Sequence, residues 1–331
     1  MSMTATLPRR SSRRIRDTLL LGGLLAFVVF GLIGLASATG WEETRTAIAR
    51  LSLWQFAGLL GLSLVNYGLR GLRWHLFTGC LRLGTSLVQD LRHFFGGFAM
   101  TVTPGRVGEL VRMRWISRET GASFEDTAPL VLIDRASDLA AMALLLAGGL
   151  ALSTTGVAGG VPVAIIALLL AVVVTRPVLA ERIAEALFAL INRWPRLFAK
   201  LRRAARTLEH FSTAPVMAGA IALGLIGWLA ECYAFHLLLV WMGADIGLAK
   251  ATAIFVFATI AGGLTGAPGG LGGAEAAMIA LLTLEGIPLE VSVPATAIIR
   301  VTTLWFAILI GLGVFPFAES RSRKAAHALE N

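Results

Sequence analysis

Long apolar stretches alternate along this chain with short polar ones. The cleanest apolar runs cover residues 18–38, 53–73, 126–150, 157–175, 214–241 and 293–315. Each reaches or approaches the roughly 20 residues that cross the hydrocarbon core of a bilayer as a helix. The polar gaps between them are too short for a second folded domain. The pattern predicts an all-α polytopic membrane protein with about six spanning helices. The first run is longer than a signal-peptide core, and no small-residue cleavage site follows it, so it reads as a retained helix.

Two further apolar stretches end too early to span. Residues 94–109 read FFGGFAMTVTPGRVGE and residues 255–275 read FVFATIAGGLTGAPGGLGGAE. Each is a Gly/Thr-rich run, then Pro-Gly (Pro104-Gly105, Pro268-Gly269), then a lone glutamate (Glu109, Glu275). An apolar helix with an embedded arginine follows each, at Arg135 and at Arg300. The separations agree: 164 residues between the prolines, 166 between the glutamates, 165 between the arginines, and 166 from Tyr67 to Tyr233. The chain therefore reads as an internal repeat, with one copy over about 53–150 and the other over about 214–315. Pro and Gly leave backbone groups unpaired, which lipid does not tolerate, so such breaks belong inside protein or against a water-filled cavity. Residues 90–118 and 250–285 read as re-entrant helical hairpins. Arg92, Arg112, Arg114 and Arg118 flank the first; Lys250, Glu285 and Glu290 flank the second. That difference puts the two on opposite faces and makes the repeat inverted.

Charge sets the topology. Lys+Arg number 29 against 20 Asp+Glu, and only 15% of residues are charged while 56% are hydrophobic. Average globular domains carry roughly 25% charged residues, and mean hydropathy here is +0.76. Of the 29, 24 fall into four groups: Arg9, Arg10, Arg13, Arg14 and Arg16; the stretch Arg70 to Arg118; the stretch Arg176 to Arg206; and Arg321, Arg323 and Lys324. Placing all four in the cytoplasm leaves Arg45, Arg50 and Lys250 outside. The positive-inside rule then gives a multi-pass protein of the cell inner membrane with both termini cytoplasmic. The basic segment 1–17 precedes the membrane domain 18–316, and the tail 317–331 follows it. Residues 178–211 alternate Leu187, Leu190, Ile191, Trp194, Leu197, Phe198 and Leu201 with Arg193, Arg196, Lys200, Arg202, Arg203 and Arg206. This reads as a basic amphipathic helix on the cytoplasmic leaflet or on the protein's own cytoplasmic face.

Charges inside the apolar segments are the candidate site. A charge near the bilayer centre costs at least about 2.5–3.5 kcal/mol, so it is normally paired and functional. Arg135 shares a helix face with Asp138, and Asp134 stands one turn before Asp138. Arg300 has Glu275 as its natural partner, as Arg135 has Glu109. These pairs either bind ligand or hold the hairpins in place. Arg106, at the first Pro-Gly break, is the candidate phosphate ligand. Glu231 sits in mid-helix with His236 near it, and His75 and His93 read as interfacial. Cys80 and Cys232 read as buried apolar residues. No metal-ligand spacing, Walker loop, serine elbow or HExxH occurs, and no folded basic module for nucleic acid. The expectation is a protein without cofactor or metal that is not an enzyme, with membrane lipids as its partners.

The runs TPGRVGELVRMRWISRETGASFEDTAPLVLIDRASDLAAMALLL and GLTGAPGGLGGAEAAMIALL resemble the lysylphosphatidylglycerol synthase transmembrane region, also called flippase-like, over about residues 15–320. The patterns PGRxGE, D/E-R-x-x-D and PGGxGxxE carry the resemblance together. One family member is the flippase half of the multiple peptide resistance factor, which moves aminoacylated phosphatidylglycerol between leaflets. The resemblance implies translocation of an anionic phospholipid or polyprenyl-phosphate-linked lipid. This sequence shows no aminoacyltransferase domain, so synthesis of lysyl-phosphatidylglycerol by this chain alone is not expected. The other reading is a non-transporting partner of a glycosyltransferase or lipid-modifying enzyme.

The inverted repeat is checked by accessibility. Single cysteines placed at Gly121 and at Leu289 should react with an impermeant thiol reagent from the cytoplasmic and the outer side respectively. Reaction of both from one side would overturn the inversion.

Overall fold

The computed structural model describes residues 46, 51–101, 103, 110–153, 157, 160–175, 177–191 and 208–329, and every regular element among them is helical. The apolar run 18–38 and the basic segment before it lie outside the described residues, as do Pro104, Gly105, Arg106 and Glu109. The helices are α1 (Leu53–Cys80), α2 (Leu87–Gly97), α3 (Val111–Thr120), α4 (Phe124–Leu152), α5 (Gly160–Thr175), α6 (Pro177–Ile191), α7 (Ala214–Trp241), α8 (Leu248–Leu264), α9 (Gly273–Leu284), α10 (Leu289–Arg300) and α11 (Phe306–Leu329). A π turn, Val301–Trp305, joins α10 to α11, so the two form one long rod. Ala214–Trp241 and Leu289–Ala328 are both long and apolar enough to cross a bilayer.

Local sequence fixes the starts and stops. Ser52 with Gln55, and Ser86 with Gln89, form reciprocal capping boxes at α1 and α2, each satisfying two backbone donors that the first turn leaves open. Ser123 caps α4 through the Asp126 N–H at 3.2 Å. Gly121, at φ 75°, ends α3 in the left-handed conformation that glycine adopts without strain. Helix α1 runs seven residues past the apolar segment 53–73, because Arg70 and Arg73 are buried rather than marking its end.

The helices order themselves in two parallel series. In each half a long helix (α1, α7) is followed by two shorter ones around a break (α2 and α3; α8 and α9), then by another long helix. Helix α1 packs along α7. Helix α2 packs on α11, and α8 packs on α4, so the first arm of each broken pair lies against the last helix of the other half. Close approach needs small residues, since lipid supplies no hydrophobic drive between helices. A Cβ at Gly149 of α4 would sit 2.7 Å from the Ala249 carbonyl oxygen of α8. At Gly311 of α11 it would sit 2.1 Å from the Ala99 nitrogen, just past α2. The second break turns through Gly269 and Gly270, both with positive φ (62° and 70°).

Charged pairs close the open ends of both broken helix pairs. Arg92 Nη2 meets the Glu119 oxygens at 2.6 and 2.7 Å, and Lys250 Nζ meets Glu285 at 2.5 Å. Burial pushes the Glu119 carboxyl up, but the His93 ring and the Arg92 guanidinium beside it outweigh that and hold it below the ordinary carboxylate range. His93 is fully buried there. Glu319 of α11 accepts from Arg114, Arg118, Arg323 and the Trp115 indole at 2.7–2.8 Å, so the boundary drawn at residue 316 falls inside a packed helix. Of the amphipathic segment 178–211, α6 is helical, Leu208–Phe211 is a 3-10 turn with Phe211 edge-on to Phe77, and 192–207 lies outside the described residues. Val161, Ile165, Ile166 and Leu169 face outward from α5, a surface suited to acyl chains rather than water.

Gly311→Ala should lower thermal stability in detergent by the equivalent of about 1–3 kcal/mol, since backbone and not a movable side chain blocks the new methyl. Gly313→Ala, with nothing within 4 Å of its Cβ position, is the control and should be neutral or slightly stabilising. Equal effects would show that the α11 contact is not close.

Candidate functional site

Helix α1 carries a polar stripe. Ser63, Asn66, Arg70 and Arg73 recur at steps of three and four, one face of a helix, and all are buried. Opposite them, α4 presents Asp134 and Asp138 one turn apart. Arg73 is wholly buried between them: Nη2 lies 2.7 Å from Asp134 Oδ1 and 2.6 Å from Asp138 Oδ1. Arg70 Nη2 meets the other Asp138 oxygen at 2.6 Å. Arg135 reaches back to Asp134 at 2.8 Å and to Asp138 at 3.3 Å. From α7, the Trp228 indole N–H donates to Asp138 Oδ1 at 3.2 Å, and its ring lies under the Arg70 guanidinium at 5.2 Å.

A fourth arginine closes the group. Arg112 of α3 stands 3.8 Å from Asp134 Oδ2 and lies over the Phe94 ring at 4.6 Å and the Trp74 ring at 5.2 Å. A Cβ at Gly97 would sit 2.0 Å from Arg112 Nε. Glycine at that place in the FFGG run is what lets the guanidinium pass α2. Among the described residues, four guanidinium groups thus gather on two carboxylates. Arg70 Nε and both Nε and Nη1 of Arg73 find no acceptor, although a buried donor without a partner costs about 1–3 kcal/mol.

The second half holds a single pair. Arg300 Nε donates to Glu275 Oε1 at 2.5 Å, and Nη2 donates to the Gly269 carbonyl at 2.9 Å. The arginine therefore ties α10 both to the start of α9 and to the turn at Pro268–Gly270. The π turn after Arg300 displaces the backbone pairing, and the Tyr67 hydroxyl of α1 donates to the Thr303 carbonyl there. Helices α4 and α10 share a further frame. Each has proline as its sixth residue (Pro129, Pro294) and arginine as its twelfth (Arg135, Arg300). At 1.5 Å per residue both arginines stand about 16 Å from the start of their helix.

The structure thus brings Asp134, Arg135 and Asp138 together, and Glu275 with Arg300 beside Gly269. Arg135 takes its described partners from its own helix; Glu109, the partner read for it from the sequence, lies outside the described residues with Arg106. Arg70, Arg73 and Arg112 were missed. They had been counted as cytoplasmic loop charge, and burial removes them from that count. The signal for two of them was present in the three-four spacing of polar residues on α1, which continues past residue 73.

Removing one member of a buried pair leaves the other uncompensated, at about 3–5 kcal/mol. Arg300→Met and Glu275→Gln should each destabilise strongly, and the double variant should recover part of the loss. A double-mutant cycle read by thermal unfolding checks this; additive losses would mean that the two side chains do not share one interaction.

Comparison with known proteins places the chain among membrane proteins. The family model described as lysylphosphatidylglycerol synthase TM region matches residues 19–311. The chain is similar to a UPF0104 membrane protein of Methanothermobacter thermautotrophicus, at 26% identity over 90% of this chain and 96% of that one. It is also similar to another UPF0104 membrane protein of the same organism, at 24% identity over 40% of this chain and 39% of that one. The family match covers both broken helix pairs and the arginine cluster, and the chain belongs to the lysylphosphatidylglycerol synthase TM region family of membrane proteins.

Proposed function

We propose that this chain is a lipid flippase or transporter-like protein. It carries the phosphate-bearing headgroup of a phospholipid or polyprenyl-phosphate-linked lipid between leaflets. One observation carries the reading: Arg70, Arg73, Arg112 and Arg135 gather at the junction of α1, α3, α4 and α7 on two aspartates, and Arg70 and Arg73 hold N–H groups without acceptors. A guanidinium is a planar fork that fits phosphate oxygens two at a time. A phosphate entering this cluster would meet donors already desolvated and oriented.

The two broken helix pairs support the same reading. In our view they are re-entrant hairpins of an inverted repeat, an arrangement that membrane transporters use to build a site at mid-depth from helix ends and unwound backbone. The shared Pro–Arg frame of α4 and α10 fits two copies of one unit. Arg106, by its place in the sequence after Pro104-Gly105, is a further candidate for contact with the phosphate. Glu109, Glu275 and the embedded arginines balance charge while acyl tails remain in lipid. With Arg70, Arg73 and Arg112 set aside, loop Lys and Arg still favour one side. The topology is therefore multi-pass in the inner membrane with both termini cytoplasmic.

The test is translocation of a fluorescent phosphatidylglycerol by the purified protein in proteoliposomes, read by dithionite quenching. Wild type should move the label between leaflets. Arg106→Ala should abolish movement without loss of thermal stability, and Arg106→Lys should be severely impaired although the charge is kept. Full activity of Arg106→Lys would remove that residue from the site, and no movement by wild type above empty vesicles would retire the flippase reading for this lipid.

A further inference from the structure

Glu231 occupies an unusual position. It lies on α7, 5% exposed, one turn beyond Gly227. A Cβ at Gly227 would sit 3.5 Å from the Asn66 carbonyl, so α1 and α7 approach closely just below the carboxyl. Among the described residues Glu231 makes no hydrogen bond and no ion pair, unlike Asp134, Asp138 and Glu275, each of which has an arginine within 3 Å. The charged groups whose fields reach it are Arg70 from α1, Arg300 from α10 and Asp138 from α4; Tyr67 of α1 and Cys232 of α7 are its other titratable neighbours. Arg70 belongs to the cluster of the first half and Arg300 to the pair of the second. Trp228, one turn before Glu231, donates to Asp138 and lies under Arg70, and α7 also packs on α10, which carries Arg300. Glu231 therefore lies on the helix that meets both charged centres and is clamped by neither.

A buried carboxylate without a direct partner is sustained only by the field of nearby cations. Here that field comes from Arg70 and Arg300. A phosphate that takes Arg70 as its partner would withdraw that support and bring a like charge close. Resting on the lipid-transport reading above, we propose that Glu231 is the proton site of this protein: its carboxylate takes up one proton from solvent as a lipid phosphate binds the arginine cluster, and returns it when the lipid leaves. The step is a protonation of one carboxylate oxygen, with no other bond made or broken. It joins an anion and a proton in one occupied state, so each strengthens binding of the other by the same factor. The chain would thereby draw on a proton gradient while carrying less net charge through the membrane interior. Asn66, fully buried with neither amide atom hydrogen-bonded among the described residues, lies on α1 at the same contact with α7.

The experiment is calorimetric titration of the purified full-length protein in detergent with dihexanoyl-phosphatidylglycerol. It is run at several pH values, each in two buffers of different ionisation enthalpy, whose heats yield the number of protons exchanged. Wild type should take up about one proton per bound lipid at a pH where the free site is ionised. Glu231→Gln should bind with no uptake and with affinity independent of pH. Glu231→Asp, which keeps a carboxyl on a shorter arm, should retain the uptake but displace the pH at which it is greatest. Binding by wild type with identical heats in both buffers, uptake surviving in Glu231→Gln, or an unchanged pH profile in Glu231→Asp would each overturn the proton site and leave phosphate binding standing. Should Glu231→Gln not fold, the wild-type proton count and the Glu231→Asp profile decide the matter. Failure of wild type to bind this lipid would instead count against phosphate recognition by the cluster, and the inference would fall with it.

Discussion

An arginine inside a bilayer must find its counter-charge where it stands, because neither water nor lipid will supply one. Arg73 meets that demand by sitting wholly buried between Asp134 and Asp138, within 2.7 Å of both. Those two contacts fix the rotation and height of α1 against α4. Trp228 fastens α7 to the same aspartate, and Arg112 brings in α3. Much else follows from this. The glycines at 224 and 227 let α7 come close enough for its indole to reach Asp138, and Gly97 leaves room for the Arg112 side chain. In a water-soluble protein an exposed ion pair contributes little. Here the same chemistry decides which helices meet, because the alternative is an unpaired charge in low dielectric.

The two halves use one frame for unequal purposes. Both set a proline at the sixth and an arginine at the twelfth residue of the helix after the break. In the second half that arginine satisfies one glutamate and one carbonyl, a nearly self-contained unit that ties α10 to the turn at Gly269. In the first half it joins three other arginines around two carboxylates. The shared frame does not extend to the surplus of guanidinium groups. They come from α1 and α3, and the residues 166 further on that correspond to Arg70 and Arg112 are His236 and Met278.

Much of this was open to reading in the sequence. Apolar runs located α4, α5 and α7 to within a few residues and found the start of the α10–α11 rod, which runs 14 residues past residue 315, because the hydrophobic length a bilayer demands is a coarse and strict requirement. The Pro-Gly breaks located both interrupted pairs, and the lone Glu275 pointed at Arg300. The buried cations of α1 were harder. Arg70 and Arg73 stand at the end of an apolar segment, where arginine is ordinarily the first interfacial residue, and charge counting treats them so. Only their spacing with Ser63 and Asn66 distinguishes a buried stripe from a helix end, and reading it requires a partner helix that the sequence places some 60 residues away. Arg112 offered even less, since its burial depends on Gly97 and on the rings of Trp74 and Phe94 together.

The contacts that hold the helices together divide into two kinds with different consequences for movement. Glycine contacts such as Gly149 on α8 and Gly311 on the end of α2 are backbone against backbone and have no alternative partner. They fasten each broken pair to the last helix of the other half as a stiff unit. The ion network at α1 and α4 is of the other kind. A guanidinium that leaves a carboxylate for a phosphate exchanges one oxyanion for another, so most of the desolvation already suffered by the arginine is not suffered again. Entry of a headgroup then requires only that a carboxylate step aside or be neutralised. Opening an apolar interface of the same size would forfeit its whole dispersion and burial energy. On the lipid-transport reading proposed above, a protein that accepts a charged headgroup gains from being locked by charge where the guest carries charge itself, while glycine contacts hold the broken pairs to the helices of the other half.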